Sequence, residues 1–521
     1  MPSCHDVMVG LPPWVLSGSL TVAAASSLWL LSRGTLTSAG PSPWRFEVTS
    51  LRPVRWLVDR RWFQFALQVP LVAILGFILY AGVEGTPVAD RNFATVVTWG
   101  LWWTLLIVDI VLLGRMWCLV CPWDALASWL RRLAFWRRGD EPLALDLPWP
   151  RWLRNVYPAT ILFVGLTWLE LGYGVTMSPR ATAFLGLAMV LMAVVPALFF
   201  EKKSFCKYGC LIGRICGLYS MLAPVELRSR DKAICAECKT KDCLTGNERG
   251  YPCPTGQCLT SMTTNTYCTV CTECIKSCPH DNVAINLRAW GGDLHNLRKP
   301  RKDEAILALV MLSLTSFHGL TMTPTWNELL ASARAASGLG YLAAFTLGMV
   351  AILLLPGGLY LGLCSVAVRL PGWERRSLLG APRRRDAMWA VASAYAYPLI
   401  AVALCYHLAH NAGHFLTEAA AIVPVLSDPL GSGQDLFGTA SFVPRPLASM
   451  PTIWALMVLL VLLGHVWATR ATRSSLERLK EQLRIGTPPR TSRWVMGCFV
   501  LMCTAANLWL LAQPMEMRTG L

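Results

Sequence analysis

Charge is what this sequence has least of. Only 15% of its 521 residues are Asp, Glu, Lys or Arg, and 54% are hydrophobic, with a mean hydropathy of +0.44. A soluble domain carries about a quarter charged residues, so the deficit argues against one. Acidic residues are the scarcer sign, 31 against 47 basic, for a net charge of +16. In an apolar chain such an excess belongs in loops on the cytoplasmic side of a membrane, so no nucleic-acid partner is expected. There are only eight histidines, too few to supply a histidine-box di-iron site. The sequence has no Walker loop, no G-x-G-x-x-G and no nucleophilic triad, so no substrate-transforming active site is expected of this chain alone. Its start has no basic cluster followed by a short apolar core and a cleavage site, so no removable signal peptide is expected.

Long apolar runs are plentiful. A spanning helix needs roughly 20 mostly apolar residues, and ten runs qualify, near 11–32, 64–84, 93–113, 156–176, 181–200, 303–323, 338–365, 387–413, 452–469 and 494–512. Basic residues alternate between the loops. Segment 33–62 carries Arg45, Arg52 and Arg55, segment 114–155 carries Arg131, Arg132, Arg137 and Arg138, segment 366–386 carries Arg369, Arg375 and Arg376, and segment 470–493 is basic. The intervening loops 82–92 and 414–451 are poor in Lys and Arg. Positive-inside logic then puts residues 201–302 in the cytoplasm and both termini on the outer side. The expected architecture is an all-α polytopic membrane protein of about ten helices. Residues 1–200 and 303–521 form its two membrane halves, and 201–302 is a cytoplasmic insert between them.

Nineteen cysteines mark the insert's chemistry. Disulfides are rare in the cytoplasm, so cysteines packed into one short segment there point to metal. The run Cys268, Cys271, Cys274, Cys278-Pro279 has the spacing C-x2-C-x2-C-x3-C-P. Soft thiolates hold iron–sulfur clusters, and in two-cluster ferredoxins the cysteine before the proline reaches the other cluster. A second set is therefore required. Cys235, Cys238, Cys243 and Cys253-Pro254 supply it. The crossed assignment gives Cys268, Cys271, Cys274 and Cys253 to one 4Fe-4S cluster, and Cys235, Cys238, Cys243 and Cys278 to the other. Cys258 is an alternative to Cys253. A closed zinc site is the competing use of such cysteines, but the run suits a cubane better. The insert is expected to be α+β and ferredoxin-like, with its order dependent on the clusters.

Two further pairs stand where expected spans meet the cytoplasm: Cys118 with Cys121-Pro122, and Cys206 with Cys210. Their four thiolates can hold a third cluster or form a dithiol relay. Cys216 reads as packing. Pairs at span ends followed by a two-cluster loop resemble the NapH/NosR/CcoG-type membrane polyferredoxins, over about residues 64–290. The family's membrane pattern is C-x3-C-P at both sites. Here the first is C-x2-C-P, the second is C-x3-C without proline, and no flavin-attachment domain precedes the membrane part. The resemblance implies a bacterial inner-membrane protein linking the quinone pool or another donor to a respiratory partner, or assisting the maturation of a metal centre.

The second half carries His407, His410 and His414, whose offsets place them along one helix face. His318 is expected at a similar depth and His465 nearer the cytoplasm. Ionisable residues in spans are costly and usually functional. His318 with one of the other three could hold a b-type haem; another metal such as copper or zinc, hydrogen bonding at a helix end, or lining a quinone pocket are the alternatives. Asp109 and Glu170 could accept protons from a quinol or pair locally, Asp109 with nearby Arg115. Trp99, Trp102, Trp103 and Trp117 read as an interfacial belt. The expected function is electron transfer, as a subunit of an oxidoreductase system rather than a stand-alone enzyme. Its partners would be lipid, a quinone or outer-side donor, and a further redox subunit. Assembly of a respiratory metalloenzyme by metal or copper reduction is the alternative, and a redox sensor would need an output module that is not evident.

Overall fold

The computed structural model describes residues 7–33, 44–133, 135, 143–297, 299–369, 384–483 and 491–516. Arg137, Arg138, Arg375, Arg376 and part of the basic segment 470–493 lie outside them. The chain is mostly helical and is a multi-pass membrane protein. Among the described residues nine helices are long and apolar enough to cross: Pro13–Ser32, Arg61–Glu84, Phe93–Leu113, Pro179–Phe199, Lys302–Leu320, Tyr341–Arg369, Asp386–Ser427, Met450–Ser475 and Ser492–Ala512. Lipid offers no hydrogen bonds, so these apolar runs satisfy their backbone internally as helices.

The run near 156–176 differs from expectation. Its helix is Tyr157–Leu171, 15 residues, or about 22 Å at 1.5 Å per residue. It stops at Gly172, where a side chain would strike the Phe345 ring at 2.8 Å. The helix still runs from one end of the bundle to the other. Val156 N–H donates to Asp303 at the start of Lys302–Leu320 (3.1 Å), and Gly172 packs near the start of Tyr341–Arg369.

Contacts between helix ends show that the helices alternate. At one end Gly82 packs on Pro179 and Ala183, and Phe93 N–H donates to Pro429 O at 3.1 Å. Strands β1 (Val7–Met8) and β5 (Met515–Glu516) pair antiparallel there. At the other end Arg61 donates to Glu248 O, Tyr397 OH to Glu304 at 2.5 Å, and Arg493 to Arg33 O at 3.3 Å. The two terminal strands therefore lie opposite the cysteine-rich segment. Asp386–Ser427 is the central post, with Tyr395, Tyr397, Ile400 and Tyr406 fully buried. Its small residues admit close neighbours: a side chain at Gly464 would meet the Ala401 carbonyl at 2.8 Å.

The insert carries one antiparallel sheet in the order β2–β4–β3, where β2 is Arg45–Glu47, β3 Val225–Ser229 and β4 Val283–Arg288. Arg45 pairs with Arg288, and Ser229 with Val283. The edge strand β2 comes from outside 201–302, so the insert is completed by the first loop. Beneath the sheet, buried Glu226 pairs with Arg45 and Arg288, each at 2.8 Å, and buried Asp293 pairs with Arg228 at 2.7 Å and with Arg288. Burial would raise the Asp293 carboxyl, but the two guanidiniums outweigh it and hold the group below the usual carboxylate range.

Candidate metal centre

Short helices and tight turns set the insert's cysteines. The segment from Cys268 to Cys274 turns through Val270 and Thr272, both left-handed (φ 53° and 63°), which is strained for β-branched residues. The turn lets Val270 N–H donate to Cys268 Sγ at 3.4 Å. Gln257 N–H donates to Cys253 Sγ at 3.2 Å, and Asn282 links the other set, N–H to Cys278 Sγ and Nδ2 to Cys235 Sγ, each at 3.3 Å. Donors of this kind tune iron–sulfur potentials. All eighteen described cysteines are free thiols.

The structure brings the insert's cysteines into two groups. Cys253 neighbours Cys268, Cys271 and Cys274. Cys235, Cys238, Cys243 and Cys278 line one pocket together with Cys258. Cys258 is thus beside Cys243 rather than in the place of Cys253. In the first group, burial pushes Cys268 up to about 11 and Cys271 up to about 12, with Glu273 and Cys253 adding to the latter. In the second, burial and neighbouring sulfurs push Cys243 up to about 11. Cys238 is lowered by the Lys241 N–H, and Cys258 is lowered because hydrogen bonds from Thr260 and Ser261 outweigh its burial. Among the described residues no three His, Cys, Asp or Glu side chains stand close enough to hold a single metal ion. A cubane spreads its four thiolates over four irons, so its ligands stand farther apart than those of one ion.

The membrane-edge cysteines also converge. Cys121 neighbours Cys118 and Cys210, and Cys206 neighbours Cys121 and Cys210. Cys206 lies in a π-helical turn, Phe205–Gly209, and its thiol is 3.7 Å from Asp124, which pairs with Lys203 at 2.5 Å. Arg115 reaches Cys118 Sγ at 3.4 Å and donates to Thr266 O at 2.7 Å. It thus faces the thiols instead of Asp109, which accepts from Trp117 N–H at 3.1 Å. Arg115 is also close enough to Cys268 for their charges to interact, so it stands between the edge cysteines and the insert's first group. Cys216 is fully buried and also neighbours Cys118 and Arg115.

The histidines form a seam through the second half. His318 Nε2 is 2.8 Å from Glu170, the His318 and His410 rings are 5.8 Å apart, and His410 and His414 are 4.7 Å apart. His414 Nδ1 is 3.2 Å from Glu418, and His407 Nδ1 is 3.4 Å from the Tyr219 hydroxyl. His465 is held apart by Ser27 and Thr504, each at 2.9 Å. Glu418 and Tyr219 carry no sequence signal, and their roles emerge only from the packing. The belt reading fails for Trp99 and Trp103, which are buried at 9% and 5% exposure inside the bundle.

No family model, curated protein or solved structure matches the chain.

Proposed function

We propose that the protein is a membrane-bound iron–sulfur electron carrier of the polyferredoxin kind. It would pass electrons between the quinone pool or an outer-side donor and a cytoplasmic or membrane redox partner. One observation carries this reading: the insert's cysteines fall into two groups, and each takes its fourth member from the other half of the sequence motif. That crossing is the ligand pattern of a two-cluster ferredoxin. The inner group would hold one 4Fe-4S cluster through Cys253, Cys268, Cys271 and Cys274. The outer group would hold the other through Cys235, Cys238, Cys243 and Cys278. The convergence of Cys118, Cys121, Cys206 and Cys210 supports a third redox station at the membrane edge, with Arg115 between it and the inner cluster. Residues 201–302 would face the cytoplasm of a bacterial inner membrane, where the basic loops also lie.

The test is iron and acid-labile sulfide on anaerobically purified protein, with a dithionite-reduced minus oxidised spectrum of the same sample. About eight irons per chain, or about twelve with the edge station filled, is the expected result. Protein that folds with no iron or sulfide would sink the reading. A sharp band near ~560 nm would add a b-type haem at the histidine seam.

A further inference from the structure

Four indole N–H groups are buried together with nothing to bond. Trp102, Trp103, Trp117 and Trp123 line one cavity, and the Nε1 of each is buried without a hydrogen-bond partner among the described residues. The Thr98 hydroxyl on the same wall is in the same state. Trp99, also on this wall, shows the usual arrangement, its Nε1 donating to Thr182 Oγ1 at 3.0 Å. Most buried polar side-chain atoms find a partner, and a cluster of exceptions calls for an explanation. Indole N–H groups only donate, so the missing partner is an acceptor. Edge-on ring contacts, such as Trp102 with Trp123 (5.6 Å, 79°), offer an N–H only a weak acceptor.

The rest of the lining says what kind of acceptor. Leu75, Ile78, Leu166, Leu185 and Met189 are apolar, and the lining has no charged side chain. The cavity lies against helices Arg61–Glu84 and Pro179–Phe199, which expose Ile74, Phe184 and Leu187 on the bundle's outer surface. Its occupant is therefore uncharged, flat enough to lie among indoles, soluble in lipid, and equipped with carbonyl oxygens. The backbone here is unusual as well. Residues Val96–Trp102 form a π-helical segment inside Phe93–Leu113, a rare distortion that occurs mostly at functional sites. Trp117 directly precedes Cys118, and Trp123 lies two residues beyond Cys121. On the far side, Trp103 also walls a small pocket that contains Glu170, His318 and His407.

We propose that this tryptophan cavity binds the ring of a lipid-soluble quinone, with the indole N–H groups donating to its carbonyl oxygens. The site gives the electron-transfer reading its lipid-side partner and rests on that reading for its role, though not for its binding.

The experiment uses the full chain in nanodiscs of quinone-free lipid. Binding of decylubiquinone is measured by titration, and an azidoquinone is crosslinked and mapped by peptide mass spectrometry. Cluster iron is assayed on the same sample. Saturable binding is expected, with crosslinks in 71–78, 97–103 or 117–123. Trp103→Phe and Trp117→Phe keep the ring and remove the donor, and each is expected to weaken binding about tenfold, the worth of one hydrogen bond. Unchanged affinity in both variants, crosslinks confined to other helices, or no saturable binding would each overturn the site. If the variants fail to assemble, the wild-type crosslink map decides alone. Absent binding with clusters intact removes the site and leaves the electron carrier standing. Binding without clusters does the reverse.

Discussion

The two cysteine groups of the insert have the same residue type and different surroundings. Around Cys268, Cys271 and Cys274 the chain is buried, and burial lifts Cys271 to about 12. Around Cys238 and Cys258 the chain is open and donor-rich, and both thiols fall below their ordinary range. Burial disfavours the thiolate at Cys268 and Cys271, and at Cys243 in the outer group, whereas hydrogen-bond donors favour it at Cys238 and Cys258. The inner group lies toward the membrane cysteines through Arg115, and the residues flanking Cys235 and Cys238 in the outer group are mostly exposed. On the proposed reading, the more buried inner site would be the better shielded from solvent.

The largest test of that difference is Cys271→Ala, which should lose the inner cluster, about half the insert's iron, and destabilise the whole loop. Cys238→Ala should lose only the outer cluster, leaving the inner cluster's signal in electron paramagnetic resonance. Unchanged iron in either variant would refute its assignment. Next is Asp293→Asn, which leaves Arg228 and Arg288 buried beside a neutral side chain. It should destabilise the insert by about 3–5 kcal/mol in denaturant titration. A loss under 1 kcal/mol would show that the network does not hold the sheet.

A gentler test is the pH dependence of cluster reconstitution. Ligand thiols must lose their protons on binding, and burial pushes Cys268 up to about 11 and Cys271 up to about 12. Raising the pH from about 7 to 9 should therefore speed inner-cluster assembly, by up to about tenfold per unit. The Cys243 thiol of the outer group is raised to about 11 as well, so assembly at both sites should respond; a rate that does not change with pH would contradict the role of burial. The smallest effect belongs to Thr272→Gly. It relieves a left-handed threonine (φ 63°) but loosens the unfolded chain, so stability should stay within about 1 kcal/mol of wild type.

The cysteine groupings were legible in the sequence because fixed spacing forces fixed geometry. The run at Cys268 sets the turn, and the proline after Cys253 or Cys278 marks the crossing residue. The histidine offsets likewise put His410 beside His414. The tryptophans were not legible. A belt at the lipid surface and a cavity wall inside the bundle use the same residue type, and only packing shows that Trp103 and Trp117 share one wall. The π-helical turn over Val96–Trp102 has no composition of its own. The short helix Tyr157–Leu171 stops at Gly172, which packs against Phe345, a residue from far along the chain. Three residues, Arg45–Glu47, were too few to read as a strand.

That last strand has a consequence for how the protein is made. Residues 45–47 leave the ribosome long before their partner strand at 283–288 exists. At typical elongation rates the delay is roughly 10–50 s. During that time four further hydrophobic segments are inserted, and the exposed edge has no mate. The basic stretch around Arg45, Arg52 and Arg55 can keep it soluble meanwhile. The sheet closes only when the last of the insert has been translated, after the first half of the membrane bundle has been made; cluster loading that needs the closed sheet would come later still. A fragment beginning at residue 201 would be born without its edge strand.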